Sequence, residues 1–432
     1  MRALVLVAIA GLAGLALVAC GDDPPASVPF TVWAFEEGTG PESTDTPLAG
    51  AQISFDPPGG GARMLATAAE DGHATFEADF SAGGGTVSVF DRAHVLVSVI
   101  DASPSSAAAR PNPLGKPASD LVLIAPRLDD AIREGSVELS GALSAKRDVA
   151  SSIDLSASGI PQLGATETTE ATYVLRAPRG RPFFLIGHES RNIASDPEKV
   201  ENELLGSFRI DMAPLGVDTT RDIDVSKASP LEVRVVHLRA DFPSGPTRFG
   251  AGTRGAATVI SADSKVLVAP IKSAQPSADG RGFDLQMYVA GTDISPERPL
   301  TRASLVAGDG SRSIRVEPGI AGDGTTWSDF LTPPVVKEGA TPAALTEPIL
   351  FEDFPDGAEL EIEVYAGTQL AWIIRGSTRA PLDPVKLPVP LEVRLPALVA
   401  VSFVARADRV TLAPRGEVFR RTAFSHDVLF RR

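Results

Sequence analysis

The sequence predicts an all-β fold, built as several β-sandwich modules in tandem and decorated by one or two short helices. Three observations lead there. Glycine (39 residues) and proline (36) are abundant among the 432 residues, while methionine (4), tryptophan (3) and tyrosine (3) are scarce. That mixture disfavours long helices and favours short strands joined by tight turns. Apolar residues recur with period two, or in short β-branched runs, in one segment after another. Between those segments stand clusters of Gly, Pro, Asp and Ser that read as turns. The length implies roughly two to four domains rather than one core.

The N-terminus reads differently from the rest. Met1 and Arg2 give a short positive start, residues 4–18 (LVLVAIAGLAGLALV) are apolar without a charge, and Ala19 is small. This is the three-part form of a secretory signal, and it is short of the roughly 20 residues a membrane span needs. No other segment is long and apolar enough to suggest a transmembrane helix. Cys20 is the only cysteine in the chain, so an internal disulfide is excluded. Leu17-Val18-Ala19-Cys20 resembles the lipobox of bacterial lipoproteins. The resemblance implies that the signal, residues 1–19, is cut before Cys20, that the sulfur carries a diacylglyceryl group and that the new amino group is acylated. Several chains give stable anchoring where one is marginal. Gly21, not Asp, follows the cysteine, which by resemblance to enterobacterial sorting implies the outer membrane. Residues 20–29, with Asp22-Asp23-Pro24-Pro25, read as a stiff, hydrated tether reaching about 33 Å if extended.

The first module runs from 30 to 101. FTVWAF, AQISFD, RMLATAA, HATFEAD, TVSVF and HVLVSVI are its strands, separated by EEGTGPESTDTP, PPGGG, EDG and SAGGG. Asp71-Gly72 suits a tight turn that needs positive φ. Pro47, Leu48, Gly50, Ala51, Thr67, Asp71, Gly72 and Phe76 resemble the pattern of the carboxypeptidase-regulatory-like, or transthyretin-like, β-sandwich. In that family the aromatic usually stands closer to the turn glycine than Phe76 does here. The resemblance implies a fold and carries almost nothing about activity.

Residues 102–120, rich in small residues and proline, read as a linker. A second module, 121–229, holds LVLIAP, SVELSGALS, SIDLSASG, ATYVLRAP, PFFLIGHES, FRIDMAP and RDIDVS. Two helices are expected within it. One is DPEKVENELLGS, with Asp196 as N-cap, Pro197 in the first turn and Gly206 past the end; the other is APRLDDAIREG. Strands continue through a third β-rich module, 230–345, whose proline-rich end marks a boundary, and a C-terminal one, 346–432. The later modules are expected to be immunoglobulin-like or transthyretin-like sandwiches.

The search for chemistry finds little. The five histidines, His73, His94, His188, His237 and His426, show no metal-ligand spacing. Residues 187–190, GHES, form a polar cluster read as a strand-end loop. No Gly-x-Ser-x-Gly elbow occurs. GAGTRG (250–255) matches a dinucleotide fingerprint in letters only, because a strand rather than a helix is expected after it. Asp309, Asp323 and Asp356 begin Asp-Gly turns. Asp222 and Asp224 could share a strand face and meet calcium, with solvation the plainer account. Trp33, Trp327 and Trp372 are expected in cores rather than as sugar platforms. Seven arginines between Arg406 and Arg432 are expected on solvated strands rather than in a docking patch. The net charge of −15 argues against a nucleic-acid partner.

Cys20, as the lipidation site, is therefore the one expected site residue; no catalytic, cofactor or metal residue is expected. The sequence implies a membrane-anchored lipoprotein of the cell envelope, outer membrane included, acting as a non-enzymatic structural or binding element. Its partners would be the membrane, through the lipid, and an unknown envelope protein or polysaccharide. One alternative is a glycan- or peptide-binding lipoprotein. The other is an envelope hydrolase whose Asp, Glu, Ser and His residues converge from distant positions.

Overall fold

The computed structural model describes residues 27–37, 46–108, 114–160, 164–194, 200–227, 233–244, 249–262, 266–290, 298–337, 343–376, 387–388, 395–411 and 417–431. Cys20, the signal and most of the tether lie outside them. The fold is all-β, with two short α-helices among the described residues.

The opening strand, Val28–Glu36, places alternate residues inward. It pairs antiparallel with His73–Ala78 and parallel with Leu121–Ala125. A second sheet of Met64–Thr67, Gln52–Asp56, Gly85–Phe90 and Leu96–Ala102 lies across from it. Phe30, Val32 and Ala34 from one sheet meet Ile53, Phe55, Val87, Val89, Val97 and Val99 from the other. The Asp71-Gly72 turn has the expected positive φ, +88° at Gly72, and a Cβ there would stand 2.5 Å from the Ala34 carbonyl oxygen. Glycine is thus required both for conformation and for space.

The helices are Pro104–Ala108 and Asp129–Glu134. The second falls where APRLDDAIREG predicts one, with Asp129 and Asp130 in its first turn and Gly135 at its end. The other expected helix is a correction. Residues 195–199 lie outside the described set, and Val200–Met212 is a thirteen-residue strand. Glu and Leu favour helix in isolation, but this segment pairs with Phe183–Asn192 along that strand's whole length, and tertiary pairing overrides the weak local preference.

Ser136–Ser144 and Thr172–Pro178 pair with each other and pack on Ser152–Ala157, Phe183–Asn192 and Val200–Met212, around Leu139, Leu155, Leu175, Leu185 and Phe208. That second group belongs to an eight-stranded sheet continuing through Ile271–Pro276, Gly282–Ala290 and Val233–Asp241 to Thr325–Trp327. Its far half packs on Arg254–Ser261, Leu267–Ala269 and Pro299–Val306, around Leu238, Val259, Leu285, Met287, Leu305 and Trp327.

Those last strands lie in a thirteen-stranded sheet. It runs through Arg312–Pro318, Glu417–Phe424, Leu398–Thr411, Glu359–Ala366 and Gln369–Arg375 into Leu96–Ala102 and the first sandwich. Leu96–Ala102 and Phe183–Asn192 are therefore buried on both faces. Val97 and Val99 join the first core, while Leu96 and Ile100 join Ile362, Val364, Trp372 and Phe403. Phe183 and Leu185 face one core, Phe184 and Ile186 the next. Two-sided burial explains why these segments read as unbroken apolar runs instead of alternating ones.

Candidate functional site: a polar row across the central sheet

The His188 cluster is not a strand-end loop. Gly187, His188, Glu189 and Ser190 lie buried inside Phe183–Asn192, which corrects the expectation for GHES. Cross-strand register puts Glu167, Asp154, His188 and Ser207 in one line over four adjacent strands. Directly opposed residues share a face of the sheet, so residues scattered between positions 154 and 207 fall in one line.

The pairing within this row is specific. His188 Nε2 lies 3.0 Å from the carbonyl oxygen of Leu267, and Nδ1 lies 2.8 Å from Ser207 Oγ. A carbonyl only accepts, so Nε2–H donates to it and the Ser207 hydroxyl donates to Nδ1. Burial pushes His188 down to about 4, and the ring is neutral at physiological pH. A serine hydroxyl aimed at imidazole has the form of an activated nucleophile. Here His188 is 1% exposed and Ser207 4%, and a backbone carbonyl stands where a carboxylate would orient the ring. The pair ties Leu267–Ala269 to the sheet. At the exposed end of the row, Asp154 is pushed up to about 6, first by burial and then by the charge of Glu167.

Glu189 points to the opposite face. Its Oε1 accepts from the backbone N–H of Arg147 (2.7 Å) and Asp148 (3.3 Å) and from Ser151 Oγ (2.7 Å). Its Oε2 is buried without a hydrogen-bond partner. A bulge in the pairing skips Leu205, whose carbonyl accepts from the Arg147 guanidinium; bulges re-aim groups in this way. Gly187 is forced by packing, because a Cβ there would lie 2.0 Å from the Phe208 ring.

The remaining sequence candidates disperse. His73 pairs with Asp71 and His237 with Asp323, both near the surface. Asp222 accepts from the Ala142 N–H, whereas Asp224 turns to Ser226, so the two do not converge. Asp309 caps its own turn through Ser311, and Asp356 is exposed. A strand, Arg254–Ser261, follows GAGTRG. Trp327 and Trp372 are core residues. Trp33 is only half-buried: its indole donates to Asp120 and the Lys116 ammonium lies 3.6 Å over its ring. Among the described residues no three His, Cys, Asp or Glu side chains are placed to hold a metal ion.

Two clusters escaped the sequence reading. His94 Nδ1 lies 2.7 Å from Asp91 and Nε2 3.2 Å from Glu36, which Arg127 also binds. With a carboxylate at each ring nitrogen, the imidazolium is favoured and the His94 pKa is raised against the opposing effect of burial. Glu359, Glu361 and Glu363 alternate along one strand and meet Arg409, Arg375 and Arg406 from its neighbours. Of the C-terminal arginines, Arg406 and Arg409 are spent there, internally. The only signal for it was the i, i+2 spacing in ELEIEV.

No family model and no curated protein matches the chain. Among solved structures it is similar to the TIE protein of Bacillus anthracis, at 10% identity and a TM-score of 0.18, over 71% of this chain and 51% of that one. It is also similar to the pilus adhesin SpaC of Lactobacillus rhamnosus GG in its open conformation. That match has 11% identity and a TM-score of 0.18, over 84% of this chain and 44% of the adhesin. The chain thus spans about half the length of either, and superpositions this loose carry no argument about function.

Proposed function

We propose that this protein is a lipid-anchored component of a bacterial cell envelope, held at the outer membrane through Cys20. It would act as a non-enzymatic structural or binding body. The observation that carries this reading is the Leu17-Val18-Ala19-Cys20 sequence ahead of a short acidic, proline-rich tether. Its arrangement at the body supports it. The tether leads into Val28–Glu36, which is paired along one edge from Val28 to Trp33 and along the other from Val32 to Glu36. A pull on the anchor therefore enters a sheet held on both sides. Sheets shared between successive cores suit a body that transmits such a pull as one unit. The non-enzymatic half of the reading is supported by the Ser207–His188 pair, which is closed to any substrate by burial.

The test is metabolic labelling with a radioactive fatty acid in an expressing bacterium. Wild type should incorporate label and Cys20→Ser should not; equal incorporation by both would overturn the anchor.

A further inference from the structure

The carboxylates that this fold withdraws from water follow a pattern of pairing. Glu36 meets His94 and Arg127, Glu361 meets Arg375 and Arg406, and Glu363 meets Tyr365 and Arg406. Glu189 accepts from two backbone N–H groups and a hydroxyl. Asp154 breaks the pattern. It is half-buried, and the residue directly opposite it, on Ala165–Thr168, is Glu167, a second carboxylate. Directly opposed side chains start about 5 Å apart. Among the described residues no cation and no hydrogen-bond donor meets Asp154. Withdrawal from water and the charge of Glu167 both disfavour its anion. On its other side stands His188, whose two ring nitrogens are engaged by Ser207 and Leu267.

The ground around this pair is lined with hydroxyls. Ser152 and Ser156 flank Asp154 on its own strand and share its face by the period-two rule. Ser190 stands opposite Ser152. Ser156 and Ser190 are each 8% exposed, and among the described residues neither hydroxyl has a hydrogen-bond partner. Buried hydroxyls are normally bonded. Two unbonded hydroxyls beside two like charges call for a ligand that takes up oxygen lone pairs, which is what a hard cation does. Oxygen donors without a free imidazole or thiolate select calcium or magnesium. Irregular spacing with water in the shell suits calcium, whereas magnesium demands a near-ideal octahedron. The alkyl stem of a partner's lysine or arginine would need an apolar wall, and the flanking positions on this face are serines. Two carboxylates are fewer than a dedicated metal site supplies, and that sets the affinity: about 10⁻⁴–10⁻³ M, the range of extracellular calcium modules.

We propose that Asp154 and Glu167 bind one calcium ion across the paired strands Ser152–Ala157 and Ala165–Thr168, with the Ser156 and Ser190 hydroxyls and water completing its shell. Ala165–Thr168 stands at the end of its sheet and pairs with one strand only, so the ion fastens a sheet edge. The proposal goes beyond the anchored-body reading and does not depend on it.

The test is hydrogen exchange of the full chain in detergent, freed of divalent cations by a chelator and then titrated with calcium chloride, against sodium chloride at matched ionic strength. Protection of Ala165–Thr168 should rise with calcium, by about tenfold at ten times the half-saturating concentration, and should not rise with sodium. Asp154→Asn and Glu167→Gln should each abolish the rise. Ser156→Ala and Ser190→Ala together should raise the half-saturating concentration severalfold. In chelator Asp154→Asn relieves the repulsion between the two carboxylates, so its lost response is not lost folding. Glu77 is an exposed glutamate on His73–Ala78. Glu77→Gln controls for scattered binding to a chain of net charge −15 and should leave the rise intact. The proposal is overturned if no rise occurs up to about 10 mM calcium, if sodium matches calcium, if the rise survives in Asp154→Asn or Glu167→Gln, if Glu77→Gln abolishes it, or if the double alanine variant keeps the wild-type midpoint. None of these outcomes touches the labelling of Cys20, so the two readings fail separately.

Discussion

Leu96–Ala102 and Phe183–Asn192 face the same packing problem and solve it with different chemistry. Each is a central strand shared by two cores, and each must bury polar atoms in its interior. In Leu96–Ala102 the polar residue is Ser98. It accepts from Trp372 Nε1 at 2.9 Å and shares a hydrogen bond with Ser88 at 2.7 Å. None of these groups changes charge near neutral pH. In Phe183–Asn192 the corresponding positions hold His188 and Glu189, an imidazole and a carboxylate. A buried polar group costs stability unless it is hydrogen-bonded; Leu96–Ala102 meets that condition at Ser98, and Phe183–Asn192 meets it at His188 and at Glu189 Oε1 while leaving Glu189 Oε2 without a partner. The difference is that one shared strand is indifferent to protons and the other depends on them.

The largest expected effect is at Glu189. Replacing it with alanine strips acceptors from two backbone N–H groups and the Ser151 hydroxyl, at a cost of about 3–5 kcal/mol. Ser98→Ala, which strands one indole and one hydroxyl, should cost about 1–2 kcal/mol. Hydrogen-exchange protection of each strand measures the two losses separately. If Glu189→Ala proves no costlier than Ser98→Ala, the contrast between the strands fails.

Next comes pH. The folded His188 titrates near 4 against an ordinary value near 6.5, so between those values the unfolded chain holds a proton that the folded one does not. Stability from His188 is complete above about 6.5 and is lost as pH falls towards 4, by roughly 3 kcal/mol in all. Protection of Phe183–Asn192 should drop over this window while that of Leu96–Ala102 stays level, and His188→Gln should flatten the drop. His94 has the opposite sign. Its folded value is raised, so its contribution is intact below about 6.5 and fades as pH rises through the folded value. Losing one of its two charged hydrogen bonds should cost about 1–2 kcal/mol, seen as weaker protection around Ala93–Val95 as pH rises through that value and absent from His94→Gln.

The two strands also show where sequence reading succeeds and stops. HVLVSVI and PFFLIGHES were legible as strands, because an unbroken β-branched or aromatic run bounded by turn residues has few other outcomes. GHES was not, because His, Glu and Ser together look solvated. The groups that satisfy them, Ser207, Leu267, Arg147 and Ser151, are brought close only by strand pairing. The misread at Val200–Met212 has the same origin: its Glu and Leu residues signal helix locally, and the partner strand that decides otherwise lies outside any local window. Cys20 differs from both: it lies outside the described residues, and its reading rests on a local, chemical signal in the sequence alone.

Asp154 gives the smallest effect and the finest test of the row. Burial first, and then the charge of Glu167, push its carboxyl up to about 6, so between about 4 and 6 the folded chain holds a proton that the unfolded chain has released. Its sign is therefore opposite to that of His188: its contribution is complete below about 4 and is lost as pH rises through 6. At pH 7.5 the ionised Asp154 costs stability, and Asp154→Asn should restore about 1 kcal/mol, less than the full shift implies because the group is partly exposed and screened. At pH 4 the same substitution should change nothing. Since Asp154 and His188 respond to acid in opposite directions, the aspartate offsets part of the loss due to the histidine, and Asp154→Asn should steepen the acid drop in protection of Phe183–Asn192. A destabilised Asp154→Asn at pH 7.5 would mean that the ionised carboxylate is held by a favourable partner, and the opposed pair across this sheet would have to be abandoned.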